Sequence, residues 1–223
     1  MTHGVLPHTA QEVKAYRVKK ITTEIIVNGN GDHPAWTSTP GLSDFIYPWE
    51  ECGASCTTFK ALHGQHWLYC MFAVRVQDVK VYAKVNDKTE IIKSDRVEIF
   101  FKQDDKLSPY YCIEIDAMAR VYDYEAVYHR KFNTQWSWPS NQLIARASRN
   151  AGGYIVELAI HKDSLVNLGI LKENKIAAGL YRAECVAIHG NDAEMRWISW
   201  VKPDSKTPDF HIPSSFGVLD MEP

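Results

Sequence analysis

No run in this sequence approaches the roughly 20 apolar residues that cross a bilayer as a helix. Its start, MTHGVLPHTAQEVKAYRVKK, has neither an apolar h-region nor a small-residue cleavage site, so export is not expected from the sequence as written. A basic excess is also missing. With 25 Lys and Arg against 27 Asp and Glu, the net charge is -2, which argues against nucleic acid and anionic membrane as partners and favours a small neutral ligand. Cysteine is scarce, and its five positions, Cys52, Cys56, Cys70, Cys112 and Cys185, are odd in number and irregularly spaced. That pattern does not make a disulfide framework. Cys52 and Cys56 in ECGASC would be half of a zinc site, but no second pair stands at matching spacing. Glycine-rich phosphate loops, GxSxG, HExxH and paired CxxC motifs are absent, which removes the commonest motif-borne enzyme classes. The nine histidines are scattered, and His63 and His66 bracket a turn where a solvated role is expected.

What the sequence does contain is a period of two. Hydrophobic residues make up 45% and charged residues 23% of 223 positions, enough for one large β-rich domain spanning residues 1–223, with 1–20 a loosely ordered extension. Thr58 to His63 and Trp67 to Val76 flank the HGQH turn, and Leu68, Cys70, Phe72, Val74 and Val76 share one face. Arg96 to Phe101 and Tyr110 to Asp116 flank KQDDKLSP, and Arg120 to Tyr128 continues the meander. Leu143 to Arg149 and Tyr154 to Ile160 form another hairpin around NAGG, and Ile176 to Ile188 and Arg196 to Val201 complete the set. One short helix is expected in DSLVNLGILKEN, capped by Asp163 or Ser164, with Leu165, Leu168 and Leu171 inward. The predicted fold is all-β, an antiparallel two-sheet β-sandwich of immunoglobulin or jelly-roll type.

Charges inside apolar strands are the first candidates for function: Glu98 in RVEIFF, Glu114 and Asp116 in YYCIEID, Glu157 in YIVELAI, and Arg182 and Glu184 in LYRAEC. If KQDDKLSP joins its strands symmetrically, Glu98 and Glu114 stand opposite each other, which destabilises the pair unless a cation lies between them. Arg182 is the candidate donor. The plainer alternative is one wet sheet face bearing modest surface pairs. Trp136 and Trp138 in TQWSWPS stand two apart, so both can point the same way if the stretch is extended, as Pro139 favours. They suit either a platform for a pyranose ring or a cap on the core. Trp36, Trp197 and Trp200 read as structural, Trp49 and Trp67 as loop or edge aromatics, and Tyr122, Tyr124 and Tyr128 as a stripe on one strand.

The stretches IIVNGNGDHPAW, SDRVEIFF, YYCIEID, GGYIVELAI, RWISWVKP and FHIPSSFGVLDM, in that order, resemble the family 9 carbohydrate-binding modules and their relatives. The resemblance spans about Ile25 to Met221. It implies a β-sandwich that binds mono- or oligosaccharides, including plant polysaccharide ends such as those of xylan, without cleaving them. It also implies work outside the cytoplasm, no required cofactor and, in some members, structural calcium, for which the acidic turns QDD and GNGD are candidates. Members that bind sugar hold it between two tryptophans. This sequence has Ile92 near the first place and Phe210 near the second. Glu98 matches an acidic residue that contacts sugar hydroxyls, and Glu114 stands where such a binder carries a basic residue. The expected ligand-binding set is therefore Glu98, Glu114, Trp136, Trp138, Arg182, Glu184 and Phe210. Two other classes stay open: a glycoside hydrolase using Glu98 with Glu114 or Asp116, and a haem-binding DOMON-type domain using Met71 or Met118 with a histidine.

Overall fold

Residues 13–53, 55–85 and 87–223 are described by the structure, a computed structural model. The period-two pattern resolves into thirteen strands. In the first half of the chain these are β1 (Ala15–Lys20), β2 (Thr57–His63), β3 (Trp67–Arg75), β4 (Arg96–Lys102), β5 (Tyr110–Asp116), β6 (Val121–Val127) and β7 (Lys131–Asn133). The second half supplies β8 (Leu143–Asn150), β9 (Gly153–His161), β10 (Leu171–Lys172), β11 (Lys175–His189), β12 (Asp192–Ser199) and β13 (Gly217–Met221). Each hairpin expected from turn chemistry is present, and the turn before β9 needs its glycine. Gly153 has φ of +140°, and a Cβ there would lie 1.9 Å from the Val74 carbonyl oxygen.

The strands pair in the order β7-β6-β5-β4-β11-β13-β1-β2-β3-β9-β8, with β10 and β12 also paired to β11. The all-β expectation holds, but in place of two separate antiparallel sheets there is one large, curled, mixed sheet. The cause is β1. Its first residues run parallel to β13 and its last two run parallel to β2, so a single strand joins the two halves edge to edge. Those residues fall within the expected loose extension; Ala15–Val18 pair with β13 and Lys19 and Lys20 with β2, and residues 1–12 lie outside the described part.

Curling brings the two ends of the strand path face to face over one apolar core. Val97, Ile99, Phe101 and Ile113 from one half meet Phe59, Leu68, Cys70, Phe72, Val74, Val156 and Leu158 from the other. Full burial of side chains this size contributes about 1.5–3 kcal/mol each. The outer faces are covered too. Trp36, in the short helix Pro34–Thr37, packs with Tyr69 and Met71 on the back of β3, and its indole N–H donates to Glu157 (2.8 Å). The other oxygen of Glu157 accepts the backbone N–H groups of Asn28 and Gly29, at 3.2 and 2.6 Å. This double covering is why the strand carboxylates are not on a wet face.

The one anticipated helix is present as Lys162–Asn167, capped by the His161 ring in place of Asp163 or Ser164. Leu165 is buried, whereas Leu171 has left the helix and opens β10. Two 3-10 segments, Lys88–Lys93 and Pro213–Ser215, complete the helical content of the described residues. No described helix is long and apolar enough to cross a membrane.

Candidate functional site

The outward face of β4, β5, β6 and β11 carries the chemistry. Registers across these strands align Tyr122, Glu114, Glu98 and Tyr181 in one row, and place Arg96 beside Ala183 and Trp197 in the next. Phe100, Cys112 and Tyr124 form the row on the other side of the carboxylates. Above these rows opens a cleft of about 320 Å³, walled by Trp49, Ile92, Arg130, Phe132, Trp197, Pro208, Asp209, Phe210 and His211.

Glu98 and Glu114 do face each other, as loop symmetry predicts. The cation between them is Arg96. Its Nε donates to Glu114 Oε2 at 2.6 Å, its Nη2 lies 2.8 Å from Glu98 Oε1, and its Nη1 donates to the Ile92 carbonyl at 2.7 Å. Tyr124 donates its hydroxyl to the remaining oxygen of Glu114 (2.9 Å). Glu98 is served less well. Its Oε1 is within ion-pair distance of Arg96 but accepts no aligned hydrogen bond, so the contact is chiefly electrostatic. Burial, then the neighbouring Glu114 charge, push the Glu98 carboxyl up to about 8 against the pull of Arg96. Burial, helped by Arg130, holds the His211 imidazole down at about 3, so this histidine is neutral; its Nδ1 is 3.0 Å from the Tyr110 hydroxyl. At the rim, Asp209 pairs with His129 and Arg130, both at 2.9 Å.

The walls are aromatic and graded in exposure. Phe210 lines the cleft but is 5% exposed, because one face is stacked on Tyr181 at 4.1 Å and 12°. The Tyr181 ring lies over Gly179, where a Cβ would meet its hydroxyl at 1.9 Å, and that hydroxyl donates to Ser215 Oγ (2.8 Å). Trp49 and Trp197 flank Phe210 at 5.5 and 6.0 Å and remain partly open, as do Tyr122 and the more exposed Phe132. The Trp49 indole N–H is anchored on the Ser205 carbonyl (2.9 Å). A fixed, half-open aromatic beside buried polar groups can hold the apolar face of a sugar ring while charged groups meet its hydroxyls.

Of the seven expected ligand-binding residues, the structure brings Glu98, Glu114 and Phe210 into this cleft. Trp136 and Trp138 lie elsewhere. Trp138 packs on Phe101 and Tyr111, on the core face of β4 and β5, and its indole N–H donates to Ser164 Oγ (3.0 Å). Trp136 rests on Tyr111 at 5.3 Å. Arg182 is not the cation between Glu98 and Glu114. It follows the core-facing Ala178 and Leu180 by alternation, so it turns between the halves and forks onto Asp95 at 3.1 and 2.9 Å. Glu184 accepts from Tyr47 (3.0 Å) and Arg182 (3.3 Å). His63, expected at a solvated turn, is buried, with Nδ1 3.0 Å from Lys162 Nζ.

Sequence reasoning missed Arg96, Trp49, Trp197, Phe132 and the His129–Arg130–Asp209 rim. Arg96 had a signal, since it stands two before Glu98 and shares its face. Trp197 had one as well, one before the core-facing Ile198 and in register with Arg96 through Ala183. Trp49, Arg130 and Asp209 sit in loops whose course the pattern does not reveal.

In the acidic turns QDD and GNGD the carboxylates have partners within the chain. Asp104 accepts the Lys106 N–H, Asp105 pairs with Lys102, and Asp32 accepts from Asn28. Among the described residues no three His, Cys, Asp or Glu side chains converge as a metal-holding group. Met71 is packed with Trp36 and Tyr69, and Met118 is exposed in the β5–β6 turn.

Known structures share this architecture. A crystal structure of a candidate carbohydrate-binding protein from Bacteroides uniformis ATCC 8492 is similar, with a TM-score of 0.72 and 15% identity over 95% of this chain and 100% of that one. A family 9 carbohydrate binding module from Caldicellulosiruptor kristjanssonii in complex with glucose gives 0.59 and 13%, over 93% and 96%. The same organism's module with cellotriose gives 0.60 and 14%, over 94% of each chain. No curated protein matches the chain. A model of the carbohydrate family 9 binding domain-like family matches residues 27–222, and the chain belongs to that family.

Proposed function

We propose that the protein binds a mono- or oligosaccharide, without cleaving it, in the cleft above Arg96, Glu98 and Glu114. The observation that carries this reading is the placement of a buried arginine and two carboxylates at the floor of a cleft walled by half-open tryptophans. A pyranose ring rests on Trp197 or Trp49, and its hydroxyls meet Glu98 and the rim pair Arg130 and Asp209. Phe210 acts from beneath, because its stacking on Tyr181 sets the positions of the two tryptophans around it. The glucose and cellotriose complexes of the structurally similar modules support a neutral sugar of one to a few units as the first probe.

Titration of intrinsic tryptophan fluorescence with glucose, cellotriose and a xylan-derived trisaccharide tests this. Trp197→Ala and Trp49→Ala should each weaken binding about tenfold or more, the range for a central aromatic anchor. Trp136→Ala should not. Undiminished affinity in both cleft variants removes the site. The Glu98 carboxyl, held protonated to about 8, is also what a general acid requires. Release of product from aryl glycosides by the wild type but not by Glu98→Gln would replace the binding reading with a hydrolytic one.

A further inference from the structure

The charges in the cleft balance only while Glu98 holds a proton. Among the described residues lining it, the guanidinium groups of Arg96 and Arg130 face the carboxylates of Glu98, Glu114 and Asp209, leaving one negative charge in excess when all are ionised. Arg96 is fully engaged by Glu114, Glu98 and the Ile92 carbonyl, and Arg130 by Asp209. Glu114 is satisfied on both oxygens, by Arg96 and Tyr124. Glu98 is the member left short. It is 2% exposed, its Oε1 accepts no aligned hydrogen bond, and it lines the cleft. A buried carboxylate in this state gains most from a charged donor. The walls suit the same partner, for aromatic faces attract cations; Arg96 already lies 5.8 Å from the Trp197 ring centre and Arg130 5.7 Å from Phe132.

Resting on the sugar-binding reading above, we propose that this cleft selects an amino sugar, a hexosamine unit with a free ammonium seated against Glu98 and its ring face on Trp197 or Trp49. The groups that face Glu98 are consistent with this choice. They are Arg96 on β4, Glu114 on β5, Tyr122 and Tyr124 on β6 and Tyr181 on β11, with Arg130, Asp209 and the neutral His211 at the rim. None of them supplies a second cation free to neutralise Glu98. Before a ligand binds, burial and the Glu114 charge favour a proton on Glu98 near neutral pH. The incoming ammonium takes the place of that proton, which passes to the buffer, and the carboxylate then pairs with the ligand.

Calorimetry at pH 7 in two buffers of different ionisation enthalpy, with glucosamine, N-acetylglucosamine, glucose and glucuronate, tests the proposal. Glucosamine should bind about tenfold more tightly than N-acetylglucosamine and glucose, the gain of a charge-assisted over a neutral hydrogen bond, and glucuronate should bind most weakly. The apparent enthalpy should depend on buffer for glucosamine, reporting proton release, but not for glucose. In Glu98→Gln the ratio of glucosamine to N-acetylglucosamine affinity should fall to about one. Equal binding of glucosamine and glucose with no proton release overturns the amino-sugar selection and leaves sugar binding standing. Binding of no member of the panel overturns both. If Glu98→Gln does not fold, the wild-type buffer dependence decides alone.

Discussion

Arg96 decides whether two facing carboxylates are tolerable. With Glu98 and Glu114 directly opposite on adjacent strands, removal of the cation leaves like charges confronting each other in a dry site. Arg96→Met should therefore lose about 3–5 kcal/mol at pH 8, and less at pH 5, where the carboxyls can take up protons; urea unfolding at the two pH values measures the difference. The same residues give a titration of defined sign. Glu98 ionises at about 8 in the folded chain against 4.5 ordinarily, so between those pH values the native state holds more proton and stability falls as pH rises. His211 works the other way, for its depressed pKa makes stability fall as pH drops from 6.5 toward 3. The Tm difference between wild type and Glu98→Gln isolates the first effect. It should decline from pH 4.5 to 8, by about 2–4 °C for each kcal/mol in a chain of this size, and a flat difference would mean that Glu98 is ionised throughout. At this scale the opposed carboxylates were legible, because pairing follows from loop symmetry. Their cation was not assigned correctly, because Arg182 shares the core-facing parity of Leu180 and cannot reach the outer face.

Among the elements, hairpins were legible and the joining strands were not. β2–β3, β4–β5 and β8–β9 carry long alternating runs and tight turns, whereas β1 offers only Tyr16 and Val18 as buried residues in AYRVKK, too weak a pattern to separate from a tail. β13 is five residues long and β7 is fully exposed. The QWSWP segment shows the complementary limit. Its spacing suggested an extended stretch, but which face of the sheet it covers depends on the path of the chain after β7. Trp138 takes the core side, held by its indole bond to Ser164 and by its backbone N–H donating to Asp123 at 2.6 Å. Trp138→Ala should lose about 3–5 kcal/mol of stability, as large aromatic truncations in cores do. Its sugar affinity, measured well below the lowered Tm, should match that of the wild type. A selective loss of affinity would relocate the ligand to the opposite face of β4 and β5.

For the molecule as a whole, β1 is the strand that makes one sheet of two halves, and its central buried residue, Val18, belongs to the shared core. Tyr16 continues that role at the other end of the strand, where its hydroxyl donates to the Pro40 carbonyl at 2.7 Å and accepts the Ala61 N–H at 3.2 Å. Because β13 and β2 are each bonded to β1, loosening it withdraws a hydrogen-bonding neighbour from both halves at once, and the halves should unfold together. Val18→Ala should remove about 2 kcal/mol through the cavity it leaves and lower Tm by about 4–8 °C. Far-UV circular dichroism, which follows the whole sheet, and tryptophan fluorescence, which is weighted toward the cleft and core indoles, should report the same transition. If the two signals separate in Val18→Ala, the halves hold their own cores and β1 only ties them together. Coincident transitions would make the cleft's stability depend on a strand outside its walls, so that Val18→Ala weakens apparent sugar binding only near Tm, where the unfolded fraction becomes appreciable.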